Sequence, residues 1–238
     1  MDIARNLDSV LVAIGRAALK VGRDPRSIIL VAVSKKQSSE LMLQYRHAAE
    51  ERGIAVIFGE NYLQELKAKR THFPSPAQFH VIGPLQSNKI RDAVRLSDLI
   101  ESVHSRAILD GIAYEAERQH KKQRVFLQVN IGADPNKSGF AADQVLSVIE
   151  YIQATLPTVK LVGLMTITPY YEDSEKGRVD FAKMKGLRDS IIAAGRENAF
   201  EDSQVLLSMG MSADFEIAIE EGADVVRVGT ALFGERKG

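Results

Sequence analysis

The chain has 238 residues, 45% of them hydrophobic and 26% charged, the balance of an ordinary globular protein. Lysine plus arginine and aspartate plus glutamate are each 31, so a net charge of zero gives no general attraction to nucleic acid or an anionic membrane. Cysteine is absent, which excludes disulfides, thiol catalysis and cysteine metal sites and suits a reducing compartment.

In chain order, Ile3, Leu7, Val10, Leu11, Ile14 and Ala18 recur at helical spacing and predict an amphipathic helix. Its apolar stripe is expected to cover part of the main core, with a partner-binding helix as the alternative. Asp2, Arg5 and Asp8 interrupt any secretory apolar run, and nothing approaches a membrane-spanning stretch, so a cytoplasmic location is expected. Ile28–Val33 is then continuously apolar and rich in β-branched residues, as a parallel strand buried on both faces requires. Similar runs follow at Val56–Phe58, Phe79–Ile82, Leu99–Ile100, Val125–Val129, Leu161–Met165, Val205–Leu207 and Val225–Val228. Helical patterns lie between them, around 39–52, 61–70, 87–96, 105–121, 142–155, 175–195 and 213–221. About eight such alternations predict a single (β/α)8 TIM barrel over residues 1–238 with an extra N-terminal helix. A doubly wound open sheet is the alternative, because alternation alone does not prove closure.

Active sites of such barrels lie at the C-terminal ends of the strands. Here the residues after the runs are polar or glycine, among them Ser34-Lys35-Lys36, Gly59-Glu60-Asn61, Gly83, Glu101-Ser102, Asn130, Thr166, Ser208-Met209-Gly210 and Gly229-Thr230. A lysine directly after a buried strand, such as Lys35, can be desolvated into the neutral amine that attacks a carbonyl. The alternative is a solvated lysine at a strand end, and Lys36 competes for the inward position because alternation sends the two side chains to opposite sides.

Ser212 is placed to cap a helix through Phe215, Ala218 and Ile219, and Gly229-Thr230 opens a short final helical turn. Together they suggest a phosphate cup at the loops after strands seven and eight, against the reading of an ordinary cap and a tight turn. Arg227 ends the last strand, where it could donate to an unprotonated pyridine nitrogen in the barrel mouth or simply pair with a carboxylate. Glu60 and Glu101 at strand ends could form a carboxylate pair. His47, His72, His80, His104 and His120 show no zinc-ligand spacing, so no metal is expected. Asp173-Ser174-Glu175-Lys176 reads as a solvated loop and helix start.

Several ordered segments carry a resemblance: Ala32-Val33-Ser34-Lys35, Phe58 through Glu65, His80-Val81-Ile82-Gly83-Pro84-Leu85-Gln86-Ser87-Asn88-Lys89, and Gln128-Val129-Asn130. Lys137-Ser138-Gly139, Gly163-Leu164-Met165-Thr166, Ser208-Met209-Gly210-Met211-Ser212 and Arg227 through Gly234 continue it. From about Ile28 to Arg236 the chain resembles the pyridoxal-phosphate homeostasis protein family, whose barrel is similar to the N-terminal domain of alanine racemase. The resemblance implies a fold-type III barrel that holds pyridoxal 5′-phosphate (PLP) as a Schiff base on Lys35. It also implies that Ser212, Gly229 and Thr230 hold the phosphate, that Arg227 faces the pyridine ring, and that Asn61 and Ser208 line the pocket. Lys137 matches a family lysine on a mobile loop and is accessory.

The chain departs from the family pattern at Lys36 (usually threonine), Ser38 (often proline), Phe79 (usually tryptophan) and Gly222-Ala223-Asp224. None of these removes an implied cofactor contact, although Lys36 adds a second amine. The family implies a monomeric carrier that buffers PLP in vitamin B6 and amino-acid homeostasis and meets PLP-requiring apo-enzymes transiently, with no catalytic residue. The alternative is a PLP-dependent amino-acid racemase. Racemases of this type add a β-domain that supplies catalytic groups, whereas this chain stops just after Phe233-Gly234-Glu235-Arg236, so the carrier is expected.

Overall fold

Eight parallel strands close on themselves in sequence order, each paired with the next and the last with the first. The computed structural model describes residues 2–73, 75–169 and 171–235; Arg236, where the resemblance ends, lies outside them. The strands are β1 (Ile29–Val33), β2 (Ile57–Glu60), β3 (Gln78–Val81), β4 (Leu99–Val103), β5 (Gln123–Gln128), β6 (Val159–Met165), β7 (Leu206–Met211) and β8 (Val225–Val228). Closure is set by Ile29, Leu30, Val31 and Ala32 in register with Val225, Val226, Arg227 and Val228. The open-sheet alternative is thereby excluded.

The helices are α1 (Ile3–Lys20), α2 (Ser39–Glu51), α3 (Leu63–Arg70), α4 (Ile90–Leu96), α5 (Arg106–Arg118), α6 (Val145–Thr155), α7 (Arg178–Ala193), α8 (Phe215–Glu220) and α9 (Thr230–Phe233). Their starts have local causes. The Ser38 hydroxyl accepts from Leu41 N and caps α2, while Ser105 accepts from Ile108 N and caps α5. The Asp173–Lys176 segment forms a short 3₁₀ turn into α7, where Arg178 pairs with Glu175 at 2.8 Å.

Because α9 is only four residues long, the helical ring would be thin beside β8. The N-terminal helix fills that place, packing on α8, α2 and α9. Ile3, Leu7, Val10, Ile14, Ala17 and Ala18 are its buried face, so the stripe covers the barrel as expected. Each such aliphatic side chain contributes about 1.5–3 kcal/mol on burial. Arg16–Glu216 (2.6 Å), Lys20–Glu220 (2.7 Å) and the bond from Asn6 Nδ2 to Leu232 O (2.8 Å) fix the helix's register.

Strand alternation divides the apolar residues into two cores. Val31, Ile57, Leu99, Phe126, Val162, Met165 and Val225 fill the barrel axis, with Ile29 and Leu206 packed against them. Their alternate neighbours, among them Leu30, Ala32, Phe58, Ile100, Leu127, Leu164, Leu207 and Val226, face the helices. At Gly163 this packing admits no side chain, since a Cβ would lie 2.0 Å from Leu206 O. Irregularities shift the register in the middle of β5–β6 and toward the C-terminal ends of β4–β5 and β7–β8.

Candidate functional site at the C-terminal mouth

β1 turns Ile29 and Val31 to the axis and ends at Val33, and Lys35 follows two residues later, in the turn at the C-terminal mouth. Lys35 is half-buried. Lys36 is exposed and takes φ 59°, a left-handed turn that ends the extended run. The turn is held from below. Lys36 N donates to Glu65 Oε2 (2.7 Å), and Ser34 Oγ donates to Glu60 Oε1 (2.6 Å). Lys69 Nζ, buried on α3, donates to Ser34 O (2.7 Å), Glu60 Oε1 (2.8 Å) and Glu65 Oε2 (3.0 Å).

Glu60 therefore belongs to the layer between barrel and helices. Burial pushes its carboxyl above the ordinary glutamate value, against the opposing pull of Lys69 and Ser34. The expected pairing of Glu60 with Glu101 does not form. Glu60 alternates with the axial Ile57 and Gly59 and so faces outward, whereas Glu101 shares the parity of Leu99 and faces the axis.

Inside the mouth lies a polar layer that apolar-run reading does not reveal. Arg227, 3% exposed, donates from Nη1 to Ser208 Oγ (2.6 Å) and from Nη2 to Thr166 O (2.7 Å). Ser208 Oγ in turn donates to Glu101 Oε2 (2.6 Å), which lies 3.7 Å from Arg227 Nη1. The other oxygen of Glu101 meets His80 Nδ1 at 2.7 Å. Burial by itself would raise Glu101, but the His80 hydrogen bond, the Arg227 charge and Ser208 outweigh it and hold the carboxyl below its ordinary value. Burial lowers the Arg227 pKa, Glu101 and Asp214 oppose that, and the guanidinium stays charged at neutral pH. The structure thus places Ser208 beneath the rim with its hydroxyl committed to Glu101 and Arg227. Glu101, His80 and the Thr166 carbonyl join the layer, and the signal for Glu101 was its parity with the axial Leu99 of the same strand.

The phosphate-cup elements meet on the rim, in a different arrangement from that expected. Ser212 does not cap α8. Asp214 is the residue at that cap, and its Oδ1 accepts from Met211 N (2.6 Å) across the intervening turn. That extra turn moves Ser212 away from α8 and onto the start of α9, where its Oγ accepts from Gly229 N (3.1 Å) and Ala231 N (3.4 Å). Gly210 makes the turn possible. It takes φ +90°, and a Cβ there would lie 2.5 Å from Ala218 Cβ. Thr230 is exposed at the same rim.

Asn61, half-buried, follows β2 directly, and Gly83 lies so close that a Cβ would come within 2.7 Å of Asn61 Cα. Its amide has no hydrogen-bond partner among the described residues. Lys137 belongs to the loop after β5, where Asn130 ties Asp134 and Lys137 together and Lys137 Nζ reaches Ile167 O at 3.3 Å.

A half-buried lysine, a buried arginine and the Ser212 rim thus gather at the C-terminal mouth of a closed (β/α)8 barrel. Comparison with known proteins gives the lineage. The family model for the alanine racemase N-terminal domain matches residues 23–237. The chain is 37% identical to the pyridoxal phosphate homeostasis protein of Aquifex aeolicus over all of both chains, and 32% identical to that of Homo sapiens over 93% of this chain and 83% of the human one. PipY of Synechococcus elongatus, solved without PLP, superposes with a TM-score of 0.82 at 31% identity, covering 98% of this chain and 100% of that one. PipY solved with PLP bound gives 0.79 at 30%, with the same coverage. The chain belongs to the pyridoxal phosphate homeostasis protein family. An alanine racemase of Clostridium difficile shares the fold at 16% identity and a TM-score of 0.71, with this chain covering 57% of it. Among the described residues no helix is long and apolar enough to cross a membrane.

Proposed function

We propose that the chain binds PLP at the C-terminal mouth, with Lys35 as its covalent anchor, and serves PLP and amino-acid homeostasis in the cytoplasm as a carrier. The observation that carries this reading is the convergence on one mouth of Lys35, the charged Arg227 and the rim of Ser212, Gly229 and Thr230. When bound, PLP supplies an aldehyde that a neutral lysine amine attacks. Lys35 is the half-buried amine of the two at this strand end, and Lys36 is exposed. Ser212 Oγ, which accepts from Gly229 N and Ala231 N, keeps its own hydroxyl hydrogen to donate to a phosphate at this rim. Arg227 supplies a permanent donor toward an unprotonated ring nitrogen, while Glu101 balances its charge from below. Asn61, with its uncommitted amide, borders the same space, and Ser208 orients Arg227.

A carrier role, rather than racemisation, is supported by relatives such as those of Aquifex aeolicus, Vibrio alginolyticus and Homo sapiens, which bear the homeostasis name across nearly the full length of this chain. In this reading the barrel is one domain, the protein is a monomer, and apo-enzymes that require PLP are met only transiently. The test is a visible spectrum of the protein mixed with PLP, followed by borohydride reduction and peptide mapping. A pyridoxyl adduct on Lys35, lost in Lys35→Ala and kept in Lys36→Ala, is expected. An adduct confined to Lys36 or scattered over surface lysines would refute the anchor. Robust turnover in an amino-acid racemisation assay would refute the carrier.

A further inference from the structure

Two adjacent amines, Lys35 and Lys36, follow β1 in a single tight turn. Gln37 N donates to Ser34 O at 3.0 Å, so Ser34 through Gln37 close a four-residue turn with both lysines at its centre. Lys36 takes φ 59° there, a region in which a residue with a Cβ stays only where its surroundings hold it.

Those surroundings come from α3. Ser34 O belongs to the peptide before Lys35 and accepts from Lys69 Nζ at 2.7 Å. Lys36 N belongs to the peptide after Lys35 and donates to Glu65 Oε2 at 2.7 Å. Glu65 and Lys69 stand one helical turn apart, and Lys69 Nζ donates to that same Glu65 oxygen at 3.0 Å. Both peptides that flank Lys35 are therefore tied to one ion pair. The pair is itself anchored: Lys69 is buried, and its remaining bond goes to Glu60 Oε1 at 2.8 Å. Burial by itself would raise Glu65, but Lys36 N and Lys69 outweigh it and hold the carboxyl below its ordinary value, so it is charged at neutral pH. A charged acceptor makes a hydrogen bond roughly twice as strong as a neutral one.

We propose that Glu65 and Lys69 are positioning residues that choose between the two lysines, keeping Lys35 as the PLP anchor and Lys36 out of competition. The inference rests on the reading that Lys35 holds PLP. Both residues act through the backbone of the turn. Without the acceptor on Lys36 N, Lys36 leaves the left-handed region, the turn opens, and two amines compete where one was fixed.

The test compares full-length wild type, Glu65→Ala and Glu65→Gln. The Glu65 side chain is 29% exposed and Lys69 keeps Glu60 as a partner, so both variants are expected to fold, which thermal unfolding checks. Either lysine amine condenses with the PLP aldehyde with loss of water, and borohydride then reduces the C=N bond to a stable label. Peptide mapping gives the ratio of label on Lys36 to label on Lys35. In Glu65→Ala that ratio should rise about tenfold over wild type, the equivalent of about 1.4 kcal/mol. Glu65→Gln, whose amide oxygen still accepts from Lys36 N, should stay within about threefold of wild type. In PLP-free protein the Lys36 amide should exchange with deuterium about tenfold faster in Glu65→Ala, and Glu65→Gln should restore most of the protection. An unchanged label ratio in Glu65→Ala overturns the proposal, as does unchanged exchange or a Glu65→Gln ratio as high as that of Glu65→Ala. Should Glu65→Ala not fold, Lys69→Met combined with Glu60→Gln decides in its place, since it removes the ammonium without leaving Glu60 charged, and it should raise the ratio too. A wild type without label on Lys35 overturns the functional reading and this inference together. Label on wild-type Lys35 with an unchanged ratio in the variants overturns this inference alone.

Discussion

Replacing Glu101 tests whether the axial polar layer is a working ion-pair network. In Glu101→Ala the Arg227 guanidinium, 3% exposed, keeps its bonds to Ser208 and Thr166 O but loses its balancing charge, and His80 loses its Nδ1 partner. Removing one partner of a buried ion pair costs about 3–5 kcal/mol. For a chain of this size each kcal/mol lowers Tm by about 2–4 °C, so a fall of roughly 6–20 °C is expected. Glu101→Gln, which keeps the volume, separates lost charge from lost packing. Urea unfolding without PLP at pH 7 measures both, and a double-mutant cycle with Arg227→Met should show a coupling of about 0.5–3 kcal/mol. The pH dependence supplies an independent sign. A depressed carboxylate contributes stability above its unfolded value near 4.5 and loses it as pH falls through the lower folded value. The gap between wild type and Glu101→Ala should therefore narrow as pH drops below that point. A loss under about 1 kcal/mol at pH 7, or additivity within about 0.5 kcal/mol in the cycle, would refute the network.

Four further outcomes follow from single sites. Tyr45→Phe should raise stability by about 1 kcal/mol in urea unfolding, because the Tyr45 hydroxyl is buried without a partner while its ring packs on Phe58 and Phe233. Glu60→Gln should flatten the stability–pH profile above pH 4.5: a carboxyl raised by burial contributes stability below its unfolded value and loses it as pH climbs through the folded one. Gly210→Ala, with φ +90° and a Cβ 2.5 Å from Ala218 Cβ, should cost about 2–5 kcal/mol by thermal unfolding and impair PLP binding with it. Ser212→Ala should weaken PLP affinity about fivefold, the equivalent of about 1 kcal/mol, measured by spectroscopic titration, and lower the PLP-free Tm by about 2–4 °C, because Gly229 N and Ala231 N lose their acceptor.

What the sequence made legible and what it hid divide along one physical line. Each strand was found from its apolar run, and the runs that stop short of the true strand end do so where the site begins. The run at Val56–Phe58 stops before Gly59 and Glu60, that at Leu99–Ile100 before Glu101 and Ser102, and that at Val205–Leu207 before Ser208 through Met211. Hydrophobicity reports burial against carbon, and at the C-terminal end of this barrel the buried partner is another polar group. Ser34 and Lys69 bond to Glu60 outside the sheet, and His80, Ser208 and Arg227 gather around Glu101 within it. Lys35 and the glycine-bounded rim could be proposed from local order, because a strand end and a tight turn are local properties. The sharing of Ser212 between two segments could not, since its acceptor role depends on Gly229 and Ala231 arriving from the next strand. Period-two alternation carried past the apolar residues, from Leu99 to Glu101 and from Val225 to Arg227, would have placed both charges on the axis. The same count cannot be carried from Ile29 past Val33 to Lys35, because the chain leaves the strand and turns there.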